Sequence, residues 1–121
     1  MIVGLDHVQV AVPAGREDEI RAFYGGLLGL AELEKPAPLR ARGGAWFQIG
    51  AHQLHLGVEA AFAPARKAHP AFTVDDLEAL AATLAGGGCE PMWDDAIPGV
   101  RRFFVHDPFG NRLELIEATR E

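Results

Sequence analysis

The sequence has a single cysteine, Cys89. An internal disulfide is excluded, and such usage fits a reducing compartment, so the expected location is the cytoplasm. Cys89 follows Gly86-Gly87-Gly88 with no basic residue beside it, and it reads as an inert turn residue rather than a nucleophile. Basic charge is also scarce. Eleven Lys and Arg face 17 Asp and Glu, a formal charge of -6, and no basic stripe is visible. A nucleic-acid partner is not expected. No apolar run reaches membrane-spanning length and the first residues form no signal-peptide pattern, so no membrane role is expected either.

Apolar material is plentiful. The chain has 121 residues, 49% of them hydrophobic, which is one domain's worth of sequence with enough for a core. Leu5 to Val12 reads as a strand with Val8, Val10 and Val12 on one face and His7, Gln9 and Ala11 on the other. An amphipathic helix follows from about Arg16, with Ile20, Phe23, Tyr24, Leu27 and Leu28 on one stripe. Glu17, Asp18 and Glu19 suit the positive end of its dipole. Ala31 to Glu34 is a short strand. Lys35-Pro36-Ala37-Pro38 breaks the pattern, and Arg40 to Gly44 reads as a loop. Ala45 to Gly50 and Gln53 to Val58 are two further strands, and Glu59 to Ala68 is a connector.

The pattern then repeats. His69 to Val74 is a strand. Asp75 with Glu78 suggests a capping box for a helix striped by Leu77, Leu80, Ala81, Leu84 and Ala85. A short strand near Glu90 to Trp93 leads to a closing hairpin. Val100 to Val105 and Arg112 to Ile116 are its strands, and Asp107-Pro108 and Gly110-Asn111 are its turn pairs. The chain is thus two copies of βαβββ with a period of roughly 60 residues, a paired-module domain rather than a solenoid. The fold class is α+β. One domain spans residues 1–121, with module 1 about 1–60 and module 2 about 68–121. Each helix has one apolar stripe and covers one face of its sheet, so the other face must meet a module, a subunit or a ligand.

Matched positions on that other face carry the chemistry. The first strand of each copy supplies a histidine, His7 and His69. The last strand supplies His55 between Leu54 and Leu56, then Glu114 between Leu113 and Leu115. A carboxylate in mid-strand between two leucines needs a partner, because burying a bare charge is costly. Arg112, two residues away on the same face, is one candidate partner. A metal is the other. Imidazole nitrogen and carboxylate oxygen suit Zn, Ni, Co, Mn or Fe(II), and two histidines with one carboxylate suit non-haem Fe(II). His52 and His106 fall at turns and read as solvated. Trp46 and Gln48 are candidates for the same face; Trp93, Phe104 and Phe109 read as core or interface.

Four stretches carry a family resemblance: Leu5-Asp6-His7-Val8, Phe23 to Leu30, His69 to Leu77 and Asp107 to Leu115. The chain resembles the vicinal oxygen chelate superfamily, which includes glyoxalase I, bleomycin-resistance proteins, fosfomycin-resistance thiol transferases, methylmalonyl-CoA epimerase and extradiol dioxygenases. The resemblance implies paired βαβββ modules whose curled mixed sheets surround a central cavity with a divalent metal. It maps the metal ligands to His7, His69 and Glu114 and the variable fourth position to His55. In glyoxalase I that position is typically glutamate, and histidine here counts against that activity. Extradiol dioxygenases carry four modules per chain, where this chain has two.

The implied function is a metal-dependent enzyme acting on a small substrate chelated through neighbouring oxygens, by lyase, isomerase, epimerase or dioxygenase chemistry, with Glu114 as catalytic base. The alternative is a binding or antibiotic-resistance protein that uses the same cavity without catalysis. The resemblance also implies a homodimer whose sites lie within one chain or are shared between two.

Overall fold

A computed structural model describes residues 1–119. The chain divides into two compact units, Met1–Pro64 and Ala65–Glu121. Among the described residues no helix is long and apolar enough to cross a membrane.

The first unit contains β1 (His7–Val12), α1 (Glu17–Ile20), a π-helical segment (Arg21–Leu27), β2 (Ala31–Leu33), α2 (Ala37–Arg40), β3 (Ala45–Ile49) and β4 (His52–Val58). Its strands form one four-stranded sheet in the order β1-β4-β3-β2. β1 runs parallel to β4, and the other neighbours are antiparallel. The helical stripe buries Ile20, Phe23 and Tyr24, with Tyr24 against the Phe47 ring at 6.1 Å between centroids. Leu54, Leu56 and Ala45 complete that buried layer.

Three local expectations change here. The helix widens after one turn, with Leu28 N–H bonded to the Phe23 carbonyl five residues back. Adjacent glycines at 25 and 26 favour a regular α-turn least, and Gly25 lies against the Phe47 ring. The Lys35–Gly44 stretch is not all loop, because Pro38 sits in the first turn of α2, where its missing N–H costs nothing. β1 begins at His7 rather than Leu5. Asp6 carbonyl accepts from Gln53 N–H, the last bond along that edge, and Leu5 is 71% exposed.

The second unit repeats the plan with β5 (Ala71–Val74), α3 (Leu77–Gly86), β6 (Met92–Asp94), β7 (Arg102–His106) and β8 (Arg112–Glu117), in sheet order β5-β8-β7-β6. β5 is again parallel to β8. Leu77, Ala81 and Leu84 of α3 are buried, as are Phe103, Val105, Leu113 and Leu115 on the strands. The N-cap of α3 is Asp76, not Asp75; its carboxylate accepts from Ala79 N–H at 3.1 Å. Asp75 instead accepts from Asp76 N–H.

The β7–β8 turn is held by one side chain. Asp107 Oδ1 accepts from the Phe109 and Asn111 amides, and its Oδ2 from Asn111 Nδ2. Gly110 adopts φ +90°, while Asn111 contributes hydrogen bonds rather than a left-handed backbone. This closure fixes the register of β8 and so the position of Glu114. Each unit thus shows the βαβββ plan.

Candidate functional site

In the first unit, β1 pairs Gln9 with His55, and β3 pairs Trp46 with His55. His7 lies two residues before Gln9 on the same face. Three rings stack there. His55 lies 4.1 Å from the His7 ring and 3.8 Å from the Trp46 ring, centroid to centroid, with the indole almost parallel to it. His55 is buried, and its Nε2 contacts Gln53 Oε1 at 2.9 Å. Burial pushes the His55 pKa below its ordinary value, and a charge on His7 adds to that, so neutral imidazole is favoured. His7 Nδ1 faces the Asp6 carboxylate at 2.9 Å. That contact orients the ring and directs Nε2 away from Asp6.

In the second unit, Glu114 is opposite Phe104 on β7 and Ala71 on β5. His69 precedes β5, because Pro70 interrupts the donor row, but its ring still reaches Glu114. His69 Nε2 and Glu114 Oε1 are 2.9 Å apart. The other ring nitrogen, Nδ1, meets the Lys67 carbonyl at 2.7 Å. Arg102 donates to Glu114 Oε2 at 3.0 Å and also to Asp94. Burial raises the Glu114 pKa, but hydrogen bonds from His69 and Arg102 and the charge of Arg102 outweigh it, and the carboxyl sits below its ordinary value.

The four predicted residues therefore form two pairs, His7 with His55 and His69 with Glu114. Among the described residues, neither unit gathers three or more His, Cys, Asp or Glu into one cluster. His52 and His106 are exposed, as read from their turns. Cys89 donates to the His106 carbonyl, and burial, then the Asp107 charge, raises its pKa; it is a poor nucleophile.

The partner that sequence reasoning missed is Arg102. Arg112, the candidate named for Glu114, lies over the Phe104 ring instead, 4.1 Å from its centroid. The signal for Arg102 was present. Counting back from a turn closed at Asp107 and Asn111 puts Phe104 opposite Glu114 and Arg102 two residues along the same face.

The donor chemistry fits a divalent ion. His69 Nε2 and Glu114 Oε1 lie 2.9 Å apart, and a backbone carbonyl on Nδ1 is the outer contact that orients a metal-ligating imidazole. Asp6 on His7 Nδ1 is the carboxylate version of the same contact.

The comparisons agree with the fold. The family model described as Glyoxalase/Bleomycin resistance protein/Dioxygenase superfamily matches residues 4–115. A putative glyoxalase family protein from Bacillus anthracis is 50% identical, with 98% of each chain covered and a TM-score of 0.94. Lactoylglutathione lyase from Agrobacterium tumefaciens shares the fold at 19% identity, covering 95% of this chain and 93% of its own, with a TM-score of 0.73. Fosfomycin resistance protein FosX from Listeria monocytogenes does so at 18% identity, covering 98% and 96%, with a TM-score of 0.78. Among curated proteins none is significantly similar. The chain therefore belongs to the Glyoxalase/Bleomycin resistance protein/Dioxygenase superfamily.

Proposed function

We propose that the protein is a divalent-metal-dependent enzyme acting on a small substrate that presents two neighbouring oxygens. The observation that carries this reading is the His69–Glu114 pair, two ligand-type atoms 2.9 Å apart on a face its helix does not cover. His7, His69 and Glu114 would hold the ion, with His55 as the fourth donor. Zn, Ni, Co, Mn and Fe(II) all suit this set. A bound ion would supply Lewis-acid stabilisation of negative charge developing on substrate oxygen. The surrounding residues prepare the donors. Burial keeps His55 neutral, the state in which imidazole can ligate. Arg102 anchors Glu114 through Oε2 and leaves Oε1 as the working atom. While Oε1 is bonded to His69, Glu114 is a weak base; proton transfer to Glu114 requires that bond to be given up. The reaction class is lyase, isomerase, epimerase or dioxygenase.

The proposed assembly is a homodimer with two equivalent sites. Metal analysis after purification without added metal tests the reading. One ion per site is expected in the wild type, and none in His69→Ala with helix content unchanged. Glu114→Gln should keep some metal but lose turnover. A metal-free wild type that still binds small molecules would replace the enzyme with a binding protein. Mixing His7→Ala with Glu114→Ala protein then locates the sites. Recovery of about half the metal in the heterodimer means each site draws on two chains; no recovery means each chain builds its own.

A further inference from the structure

Beside the ring stack, the first unit has an open cavity of about 200 Å³. Its lining includes Gln9, Lys35, Leu39, Arg42 and Trp46, and no Asp or Glu. Two cations thus share a pocket without a carboxylate on a chain of formal charge -6. Two acids lie near the pocket without lining it. Glu17 accepts from Gly44 N–H, and Glu34 pairs with Arg40.

The backbone is shaped to open this space. Gly43 and Gly44 adopt φ +75° and +78°, and a Cβ on Gly44 would stand 2.0 Å from the Leu56 carbonyl oxygen. A Cβ on Gly57 would stand 2.8 Å from Gln9 Cδ, so the missing side chain at 57 is what lets the Gln9 carboxamide lie there. Lys35 donates to the Gly43 carbonyl, which fixes its ammonium at the wall and leaves further N–H donors. The Arg42 guanidinium makes no hydrogen bond or ion pair among the described residues. Its five donors are available. Trp46 and Leu39 supply an apolar wall, and the Trp46 ring is itself stacked on His55.

We propose that this pocket binds the carboxylate or phosphate group of a small organic anion through Lys35 and Arg42, with its apolar stem against Trp46. The volume lies below the roughly 300–1,000 Å³ of drug-sized sites and suits a single ring or a short acid. The inference deepens the functional reading above by giving the substrate an anionic end. The pocket itself lies within one unit and does not depend on metal.

Trp46 is the reporter, in a Trp93→Phe background that removes the other tryptophan. The probes are benzoate, phenyl phosphate and neutral benzamide, titrated by fluorescence with and without EDTA. Saturable binding of an anion is expected, weakened by added salt and absent or much weaker with benzamide. Whichever of benzoate and phenyl phosphate binds more tightly identifies the anionic group. Arg42→Ala and Lys35→Met should each weaken binding about tenfold or more, the loss of one charge-assisted contact. Both side chains are at the surface rim, so Arg42→Ala remains informative if Lys35→Met misfolds. Equal binding of benzamide, or an unchanged affinity in Arg42→Ala, overturns the proposal. So does loss of binding in EDTA, which would place the anion on a metal. Anion binding by protein that carries no metal as purified would refute the enzyme reading and leave the pocket standing.

Discussion

His55 and Glu114 hold the same place in two copies of one sheet. Each is opposite a first-strand residue, Gln9 or Ala71, and opposite a third-strand aromatic, Trp46 or Phe104. Their surroundings are opposed. His55 lies between two rings and is kept neutral. Glu114 lies between two cationic-type donors and is kept ionised. The same registers also equate Gly44 with Arg102 and Gly57 with Ile116. Glycine at both places in the first unit lets backbone and the Gln9 carboxamide pack closely beside the cavity. The second unit has arginine and isoleucine there, and the arginine bridges Glu114 to Asp94. The duplicated backbone fixes where a side chain stands; its neighbours decide whether that place carries a ring stack or an ion pair.

Gly44 gives the strongest way to break the comparison. Gly44→Ala would place a methyl group against the Leu56 carbonyl at a backbone angle that L-residues rarely adopt. A loss of about 3 kcal/mol is expected from strain and overpacking together. Urea unfolding would report it as a lower midpoint at unchanged slope. A change under about 0.5 kcal/mol, the ordinary size for a neutral surface substitution, would show that the β3 entry adjusts freely and does not need the glycine.

Arg102 tests the other side with a smaller effect. Its side chain is 16% exposed and that of Glu114 10%, so the pair is only partly screened by water. Arg102→Met removes the donor to Glu114 Oε2 and to Asp94. A lower urea midpoint is expected, smaller in shift than that of Gly44→Ala, because the Glu114 carboxylate is left with one partner. Arg102→Lys should recover part of the shift, since a single ammonium cannot reproduce the forked contact. If Arg102→Met were as stable as the wild type, the bridge would be incidental.

These positions also show what the sequence makes legible. Repetition of the strand-helix pattern, with alternation inside each strand, is enough to place His7, His55, His69 and Glu114 on matched positions. The Trp46 parity, open in the sequence, follows from its pairing with His55. Arg102 was hidden because its link to Glu114 runs across a hairpin and needs the turn length, which depends on how Asp107 closes its five residues. The π-helical turn was hidden because an apolar stripe has nearly the same spacing in either helix over two turns. The basic pocket was hidden because Lys35 and Arg42 lie on either side of α2, a helix that its prolines disguised as a break.

Acidification gives the smallest and most discriminating test, best made on metal-free protein. The His55 pKa is depressed below its ordinary 6.5 by burial. The unfolded chain therefore takes up the proton first. The stability His55 contributes is complete above 6.5 and is lost as pH falls from there towards its lower folded value. The Glu114 pKa is depressed below 4.5, since its hydrogen bonds and ionic partners outweigh burial. Its contribution is complete above 4.5 and is lost only as pH falls through its lower folded value. The first unit should loosen before the second. Amide exchange, corrected for intrinsic rates, should show β4 protection around Leu54–Leu56 falling between pH 7 and 5 while β8 protection around Leu113–Leu115 holds, with β8 following below pH 4.5. His55→Gln should remove the early step and leave the late one. Loss of protection in both strands together above pH 5 would mean that the two environments do not titrate separately, and the contrast between a neutral stack and an ionised pair would fail.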